Sequence, residues 1–314
     1  MPFAFTAMAS PCMLRLAGAG EEACRQAAAL AIAEVQRIER AYSRYRPDSI
    51  VSRINAAAGR DWVTCDEETL ALFGYADALH AASGGLFDIT SGILRRAWDF
   101  RVARVPSPQE LAPLLGLIGW HRAERDGDRV RLPRAGMEID FGGFGKEYAA
   151  DRAAAVLQAH GIGHGYVDLG GDLRVIGPRP DGSPWYIGIQ NPRDADALAA
   201  SIPLARGGLA TSGDYERYIE VDGRRHCHIL DPRTGMPVSH WRSVSVLAPL
   251  AVVAGSHATI AMLLQERGRE YLDAAGVAYL AIDHAGRIVH HPLFPHAGTD
   301  PCAPAGAQTG APRA

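Results

Sequence analysis

The segment 140–177 constrains the fold of this chain most, because a glycine-rich turn, a helix and a strand follow one another within it. It reads DFGGFGKEYAADRAAAVLQAHGIGHGYVDLGGDLRVIG and contains Lys146, the only lysine among the 314 residues. Glycines let the backbone approach a ligand closely, and a helix start offers free N–H groups beside the lysine charge. The segment therefore predicts a turn that binds a phosphate or pyrophosphate. The alternative is a turn that only joins a strand to a helix, since the pattern matches neither the P-loop nor the GxGxxG fingerprint.

The composition excludes several classes of protein. With 47% hydrophobic residues the chain can bury a large core, and its dispersed charges, with a formal net charge of −3, argue against a nucleic-acid partner. No apolar stretch is long enough for a membrane span, and the N-terminal residues lack the pattern of a signal peptide. The five cysteines are scattered without CxxC spacing, which is typical of free thiols in a reducing compartment. We therefore expect a cytoplasmic protein.

Helical and strand patterns alternate along the chain. Apolar periodicity and capping residues predict helices over 21–42, 66–82, 106–118, 146–160 and 251–265. Many short, hairpin-like strand patterns lie between them, beginning with 3–16 and including 129–132 and 138–141 just before the glycine-rich turn. This order predicts an α+β fold of mixed or antiparallel sheets with flanking helices. We expect a single domain over 1–297 and a disordered Ala-, Pro- and Gly-rich tail over 298–314.

A second block, residues 210–235, adds polar side chains that suit catalysis. It reads ATSGDYERYIEVDGRRHCHILDPRTG, and residues 210–215 predict a tight loop that carries hydroxyls and a carboxylate. His228 and Asp231 precede a proline-containing turn, where a histidine can transfer protons at neutral pH. The alternative for His228 is a hydrogen-bonded residue at the entrance to a buried strand.

The helix pattern over 251–265 carries Thr259 four residues after Gly255. Positions i and i+4 share a helix face, so a pair of oxygen ligands at this spacing suits a hard cation. Gly255 contributes no side chain, however, and a threonine between alanine and isoleucine is equally compatible with simple packing.

The order of these segments is typical of one family. The chain resembles the ApbE-type FAD:protein FMN transferases over nearly its whole length, from Ala7 to about Gln265. Besides the glycine-rich turn around Lys146, the matching segments are AMAS at 7–10, YRPDS at 45–49, GLFDIT at 85–90, LGGD at 169–172, TSGDY at 211–215 and HILDPRTG at 228–235.

The resemblance implies a two-lobed α+β fold with FAD in a cleft and Mg²⁺ at the pyrophosphate. It also implies transfer of FMN to a Ser or Thr hydroxyl of a target flavoprotein, with release of AMP. The acceptor is expected to carry a D-x-x-[ST]-G-A-T-like motif. His228 is then the expected base, oriented by Asp231, and Thr259 and the backbone near Gly143 are the expected metal ligands. The residues expected to contact the flavin nucleotide are Met8, Tyr45, Leu86, Phe87, Asp88, Asp140, Lys146 and Leu230.

Three positions depart from the family pattern. Gly255 stands where the family has a metal-binding aspartate, Glu147 where it often has glycine, and Ala9 at the glycine of the first motif. The missing aspartate leaves three activities open: FMN transfer, FAD binding without transfer, and metal-dependent hydrolysis of FAD. Transfer is our first hypothesis, and we expect the substitution Gly255→Asp to distinguish it from FAD binding alone.

Overall fold

Helices and short strands alternate in the computed structural model, which describes residues 1–295. The helices of this part are α1 (Glu21–Tyr42), α2 (Ile50–Ala57), α3 (Glu67–Ala82), α4 (Pro108–Leu115), α5 (Gly145–Ala159), α6 (Ala251–Leu264) and α7 (Gly268–Ala275). The strands are β1 (Pro2–Ala7), β2 (Ser10–Ala17), β3 (Val63–Thr64), β4 (Glu124–Asp126), β5 (Arg129–Arg131), β6 (His164–Leu169), β7 (Asp172–Gly177), β8 (Trp185–Asn191), β9 (Asp194–Leu204), β10 (Gly207–Gly213), β11 (Tyr218–Val221), β12 (Arg224–Cys227), β13 (Trp241–Ala248), β14 (Ala278–Asp283) and β15 (Ile288–His290). The α+β prediction is confirmed.

One antiparallel sheet of eight strands, in the order β1-β2-β6-β7-β10-β13-β14-β15, forms the centre of the protein. Successive side chains of a strand point to opposite faces. In β14, Tyr279 and Ala281 therefore join the core under α1, α5 and α6, whereas Leu280 and Ile282 join a second core covered by the β8–β9 hairpin. Helix α5 packs closely between α1 and the sheet because its buried face consists largely of alanine.

The segment 138–141 was predicted as a strand, and this prediction is wrong. Its backbone is bound by a side chain instead: Asn55 Oδ1 accepts from the N–H of Ile139 at 2.7 Å, and Asn55 Nδ2 donates to its carbonyl oxygen at 3.0 Å. The N–H of Asp140 donates to the carbonyl oxygen of Ile89 at 2.8 Å. Because these partners satisfy the extended backbone, no neighbouring strand is needed.

The predicted strand over 3–16 is a hairpin of β1 and β2. Its two-residue turn, Met8 and Ala9, has φ angles of 51° and 57°. Both lie in the left-handed region that disfavours residues with a Cβ atom. Strain at Met8 and Ala9 is therefore built into this turn.

The predicted loop over 210–215 is also wrong for most of its length. Residues up to Gly213 belong to β10, which pairs with β7 on one side and β13 on the other. The predicted tail over 298–314 lies outside the described residues. Within 1–295, no helix combines the length and the apolar character needed to cross a membrane.

Candidate functional site

A cleft of about 1360 Å³ lies between the large sheet and the smaller lobe around α4, β11 and β12. Its walls contain all of the site residues predicted from the sequence except Asp231. These are Met8, Tyr45, Leu86, Phe87, Asp88, Asp140, Gly143, Lys146, His228, Leu230 and Thr259. Tertiary folding therefore brings together residues that are far apart in the sequence.

The start of α5 forms one end of the cleft. The N-cap position of this helix is Phe144, and no side chain within residues 1–295 caps it. Gly143 has to be glycine, because a Cβ atom there would lie 2.8 Å from Cζ of the buried Phe87 ring. An uncapped helix start with glycines beside it is suited to bind an anion.

Lys146 reaches from this helix start to the second double glycine. Its Nζ lies 2.7 Å from Oδ2 of the buried Asp172. Burial disfavours the charged ammonium group, but the carboxylates of Asp172 and Glu147 outweigh that effect and raise the pKa of Lys146. Lys146 is therefore a permanent positive charge at neutral pH. Burial raises the pKa of Asp172, although Lys146 opposes this.

Glu147 points from α5 towards α6. A Cβ atom built on Gly255 would lie 2.3 Å from Oε1 of Glu147. The Glu147 side chain is buried, and its Oε2 has no hydrogen-bond partner among the described residues. Burial and the neighbouring Asp172 raise the pKa of Glu147 well above its usual range.

Thr259 lies one helical turn beyond Gly255 on α6, and its hydroxyl is 2.9 Å from the hydroxyl of Ser212 on β10. Both residues line the cleft, as does Thr211. The α6 start is held by Asp151 of α5, whose carboxylate accepts from the N–H groups of Ala251 and Val252 at 3.0 and 2.9 Å. This end of the cleft is thus rich in oxygen atoms on well-fixed elements.

His228 lies just beyond β12. Its Nδ1 is 3.3 Å from the carbonyl oxygen of Arg217. A carbonyl oxygen can only accept, so this contact places the proton on Nδ1 and leaves Nε2 with its lone pair. Burial, followed by the charge of Arg217, lowers the pKa of His228 to about 4. His228 is therefore neutral at pH 7 and can accept a proton.

The sequence model of the ApbE family matches residues 8–281. The chain belongs to the ApbE family. A protein of Vibrio cholerae named FAD:protein FMN transferase is 32% identical over 247 residues, which cover 76% of this chain and 74% of that protein. One of Klebsiella pneumoniae with the same name is 33% identical over 247 residues, covering 77% and 75%.

Solved ApbE structures have the same fold. The ApbE protein of Thermotoga maritima superimposes with a TM-score of 0.86 at 32% identity, over 93% of this chain and 97% of that chain. The flavinyl transferase ApbE of Pseudomonas stutzeri, in its apo form, has a TM-score of 0.82 at 31% identity, over 93% of each chain. The family predicted from the motifs is confirmed.

Asp231 is placed differently from the expectation that the ApbE resemblance raised. Its carboxylate accepts from the backbone N–H and from Nε and Nη2 of Arg233, at 2.9, 3.1 and 2.7 Å. It does not line the cleft, and the contact recorded for the His228 ring is with Arg217. The idea that Asp231 orients His228 is therefore wrong, since its oxygens hold the following turn.

Asp88 lines the cleft but its carboxylate is already occupied. It accepts from the N–H and hydroxyl of Thr90, at 2.8 and 2.5 Å, and from the N–H of Trp120 at 2.9 Å. These bonds hold the loop that carries Leu86 and Phe87. Asp88 of the GLFDIT segment therefore positions this loop.

The expectation for Gly255→Asp needs correction as well. This single substitution cannot simply recreate the ApbE aspartate, because the side chain of Glu147 already fills the space beside Gly255. The cleft residues that were not predicted as site residues include Asp172, Glu147 and Ser212. Asp172 ends the LGGD segment and could have been singled out from that motif, whereas Glu147 was noted only as a departure from the family pattern.

Proposed function

We propose that this chain transfers FMN from FAD to a Ser or Thr hydroxyl of an acceptor flavoprotein and releases AMP. The observation that carries the proposal is the convergence of eleven predicted residues in one cleft of a chain that belongs to the ApbE family. The relatives' names supply the reaction, and the cleft supplies groups that suit it.

The reaction exchanges the phosphoanhydride bond of FAD for a phosphoester bond to the acceptor. The acceptor oxygen attacks the phosphorus on the FMN side of FAD, and the bond from that phosphorus to the bridging oxygen breaks. AMP leaves with the bridging oxygen, and the hydroxyl proton goes to a base. We assign the base to His228, because its neutral ring keeps Nε2 free to accept that proton.

The pyrophosphate is best placed against Lys146 and the start of α5. The ammonium group and the backbone N–H groups of the helix start offset the negative charge that the phosphates carry. Asp172 holds Lys146 in position through the 2.7 Å contact. The flavin part then lies along the apolar wall that includes Met8, Leu86 and Phe87.

The residues at this end also fit a divalent cation such as Mg²⁺. When bound, the cation would stabilise the charge that develops on the phosphate oxygens. Within residues 1–295 no group of three or more His, Cys, Asp or Glu side chains is arranged for a metal. Magnesium, however, usually takes one or two carboxylates together with substrate phosphates and waters. Oxygen donors of that kind are supplied by Thr259, by the backbone near Gly143 and by Glu147 Oε2, which has no partner in the described part of the chain.

The acceptor and the compartment are part of the proposal. We propose an acceptor with a D-x-x-[ST]-G-A-T-like motif, supported by the family resemblance. A cytoplasmic location is supported by the cysteines, since the four that fall within the described residues are buried free thiols.

The test is a labelling reaction with purified chain, FAD, Mg²⁺ and an acceptor domain that carries the motif. We expect an acceptor band that fluoresces after denaturing electrophoresis and a mass increase equal to FMN. The control is the acceptor with its Ser or Thr changed to Ala, which should stay unlabelled. Bound FAD without labelling under several divalent metals would contradict the proposal, and release of free FMN without acceptor would indicate hydrolysis.

A further inference from the structure

Two departures from the family pattern lie against each other in the structure. Glu147 is on α5 and Gly255 is on α6, and the two helices pack together. A Cβ atom on residue 255 would lie 2.3 Å from Oε1, 2.7 Å from Cγ and 2.8 Å from Cδ of Glu147. The glutamate therefore occupies the space in which any side chain at 255 would begin. Glycine at position 255 leaves free the space that the side chain of Glu147 fills, so the two departures go together.

The side chain of Glu147 is buried, and one of its two oxygens lacks a hydrogen bond within residues 1–295. Glu147 is 7% exposed, and its Oε2 is one of two buried side-chain polar atoms in the described part that lack a hydrogen-bond partner. Buried polar groups are normally paired, and a buried carboxylate oxygen without a partner is unfavourable unless a ligand completes it. The neighbouring cation does not fill this role, because Lys146 Nζ donates to Asp172.

The surroundings of this oxygen suit a cation. Gly255 and Thr259 are four residues apart on α6 and share a helix face, so Glu147 beside Gly255 lies one turn from the Thr259 hydroxyl. Glu147, Thr259 and Gly143 all line the cleft. A carboxylate and a hydroxyl oxygen, with phosphate oxygens of a nucleotide, form the donor set that Mg²⁺ or Mn²⁺ prefers.

We propose that Glu147 supplies to a divalent cation the carboxylate that the family draws from position 255. The proposal rests on the proposed function, since the cation is the one that assists FMN transfer. The chain then keeps the carboxylate of the site but delivers it from α5 instead of α6.

The test measures metal binding directly. The full chain is titrated with Mn²⁺ in the presence of FAD and without acceptor, and free Mn²⁺ is followed by electron paramagnetic resonance. We expect wild-type protein to bind one Mn²⁺ and Glu147→Gln to bind it at least about tenfold more weakly, as removal of a group that supports a metal commonly does. The matched control is Glu216→Gln, which removes an exposed carboxylate of the same cleft and should leave Mn²⁺ affinity unchanged.

A reciprocal variant tests the exchange. Glu147→Gly combined with Gly255→Asp moves the carboxylate back to α6, and we expect it to recover most of the Mn²⁺ affinity that Glu147→Gln loses. Should Glu147→Gln fold poorly, a crystal structure of the wild-type chain with FAD and Mn²⁺ decides the point. In that crystal structure we expect an oxygen of Glu147 at about 2.2 Å from the anomalous-scattering peak of Mn²⁺.

The outcomes separate this proposal from the proposed function. FMN transfer by wild-type protein together with unchanged Mn²⁺ affinity of Glu147→Gln would overturn the role of Glu147 and leave the transferase intact. Wild-type protein that binds no Mn²⁺ in the presence of FAD would overturn it too. Absence of labelling, with Mn²⁺ bound through Glu147, would overturn the transferase and leave the metal site.

Discussion

From the close packing of Glu147 against Gly255 we predict how substitutions at these two positions change the free energy of unfolding. We consider the single substitution Gly255→Asp and the same substitution combined with Glu147→Gly. The first adds a side chain where a Cβ atom would already lie 2.3 Å from Oε1 of a buried glutamate. The second removes that glutamate at the same time. We expect the single variant to be much less stable than the double variant.

The magnitude follows from two effects. Overpacking of a filled interior costs about 1–3 kcal/mol. A second buried carboxylate beside the first, left without partners, adds about 1–3 kcal/mol. Gly255→Asp should therefore lower the free energy of unfolding by about 2–6 kcal/mol, before any repulsion between the two charges is counted. In the double variant both effects disappear, and the main remaining cost is glycine inside helix α5, about 1 kcal/mol.

The assay is urea unfolding of wild type, both single variants and the double variant, without metal and without FAD. The double-mutant cycle should give a coupling free energy of about 2 kcal/mol or more in favour of the double variant. Substitutions that do not interact add to within about 0.5 kcal/mol. Additive effects, or a Gly255→Asp variant as stable as wild type, would refute the packing argument.

Three further predictions concern the cleft and its turn. Because burial lowers the pKa of His228 to about 4, its base form persists as the pH falls. In the pH profile of kcat/KM for FMN transfer, the acidic limb should lie well below pH 6.5, and a limb near pH 6.5 would contradict the assignment of His228 as the base. His228→Asn should abolish transfer while FAD still binds. Lys146→Met should weaken FAD binding by roughly 10–100-fold, the loss of one charge-assisted contact, measured by flavin fluorescence. Lys146→Met also leaves Asp172 without its partner, and the double variant Lys146→Met/Asp172→Asn removes this second effect. Unchanged FAD affinity in both variants would argue against the phosphate site. Ala9→Gly should raise the free energy of unfolding by about 1 kcal/mol, because glycine adopts the φ of 57° without strain, and no gain in a urea titration would count against strain in that turn.

Much of the secondary structure could be predicted because its signals are local. The long helices α1, α3, α5 and α6 begin and end within one residue of the predicted bounds. Ser49 and Asp66 cap α2 and α3, and each side chain accepts from the N–H group three residues ahead. Such contacts depend only on neighbours in the chain.

Predictions failed where no local pattern specifies the partner of a backbone or side-chain polar group. Segment 138–141 has the pattern of a strand, yet Asn55 satisfies its backbone. Residues 210–213 have the composition of a turn, yet they pair with β13 within the sheet. Asp231 follows His228 closely along the chain, yet its carboxylate binds Arg233. No local pattern specifies which of several possible partners a polar group meets.

The sequence by itself determined the α+β class and the ordered motifs, because periodicity, capping and motif spacing are written along the chain. The ApbE resemblance of those motifs then indicated eleven of the residues that line the cleft. Only the tertiary structure decided that Glu147 and Gly255 belong together and that Asp231 and His228 do not. The first fact depends on how α5 packs against α6, and the second on how the turn after β12 closes. The positions of these residues in the sequence do not show which atoms such packing brings into contact.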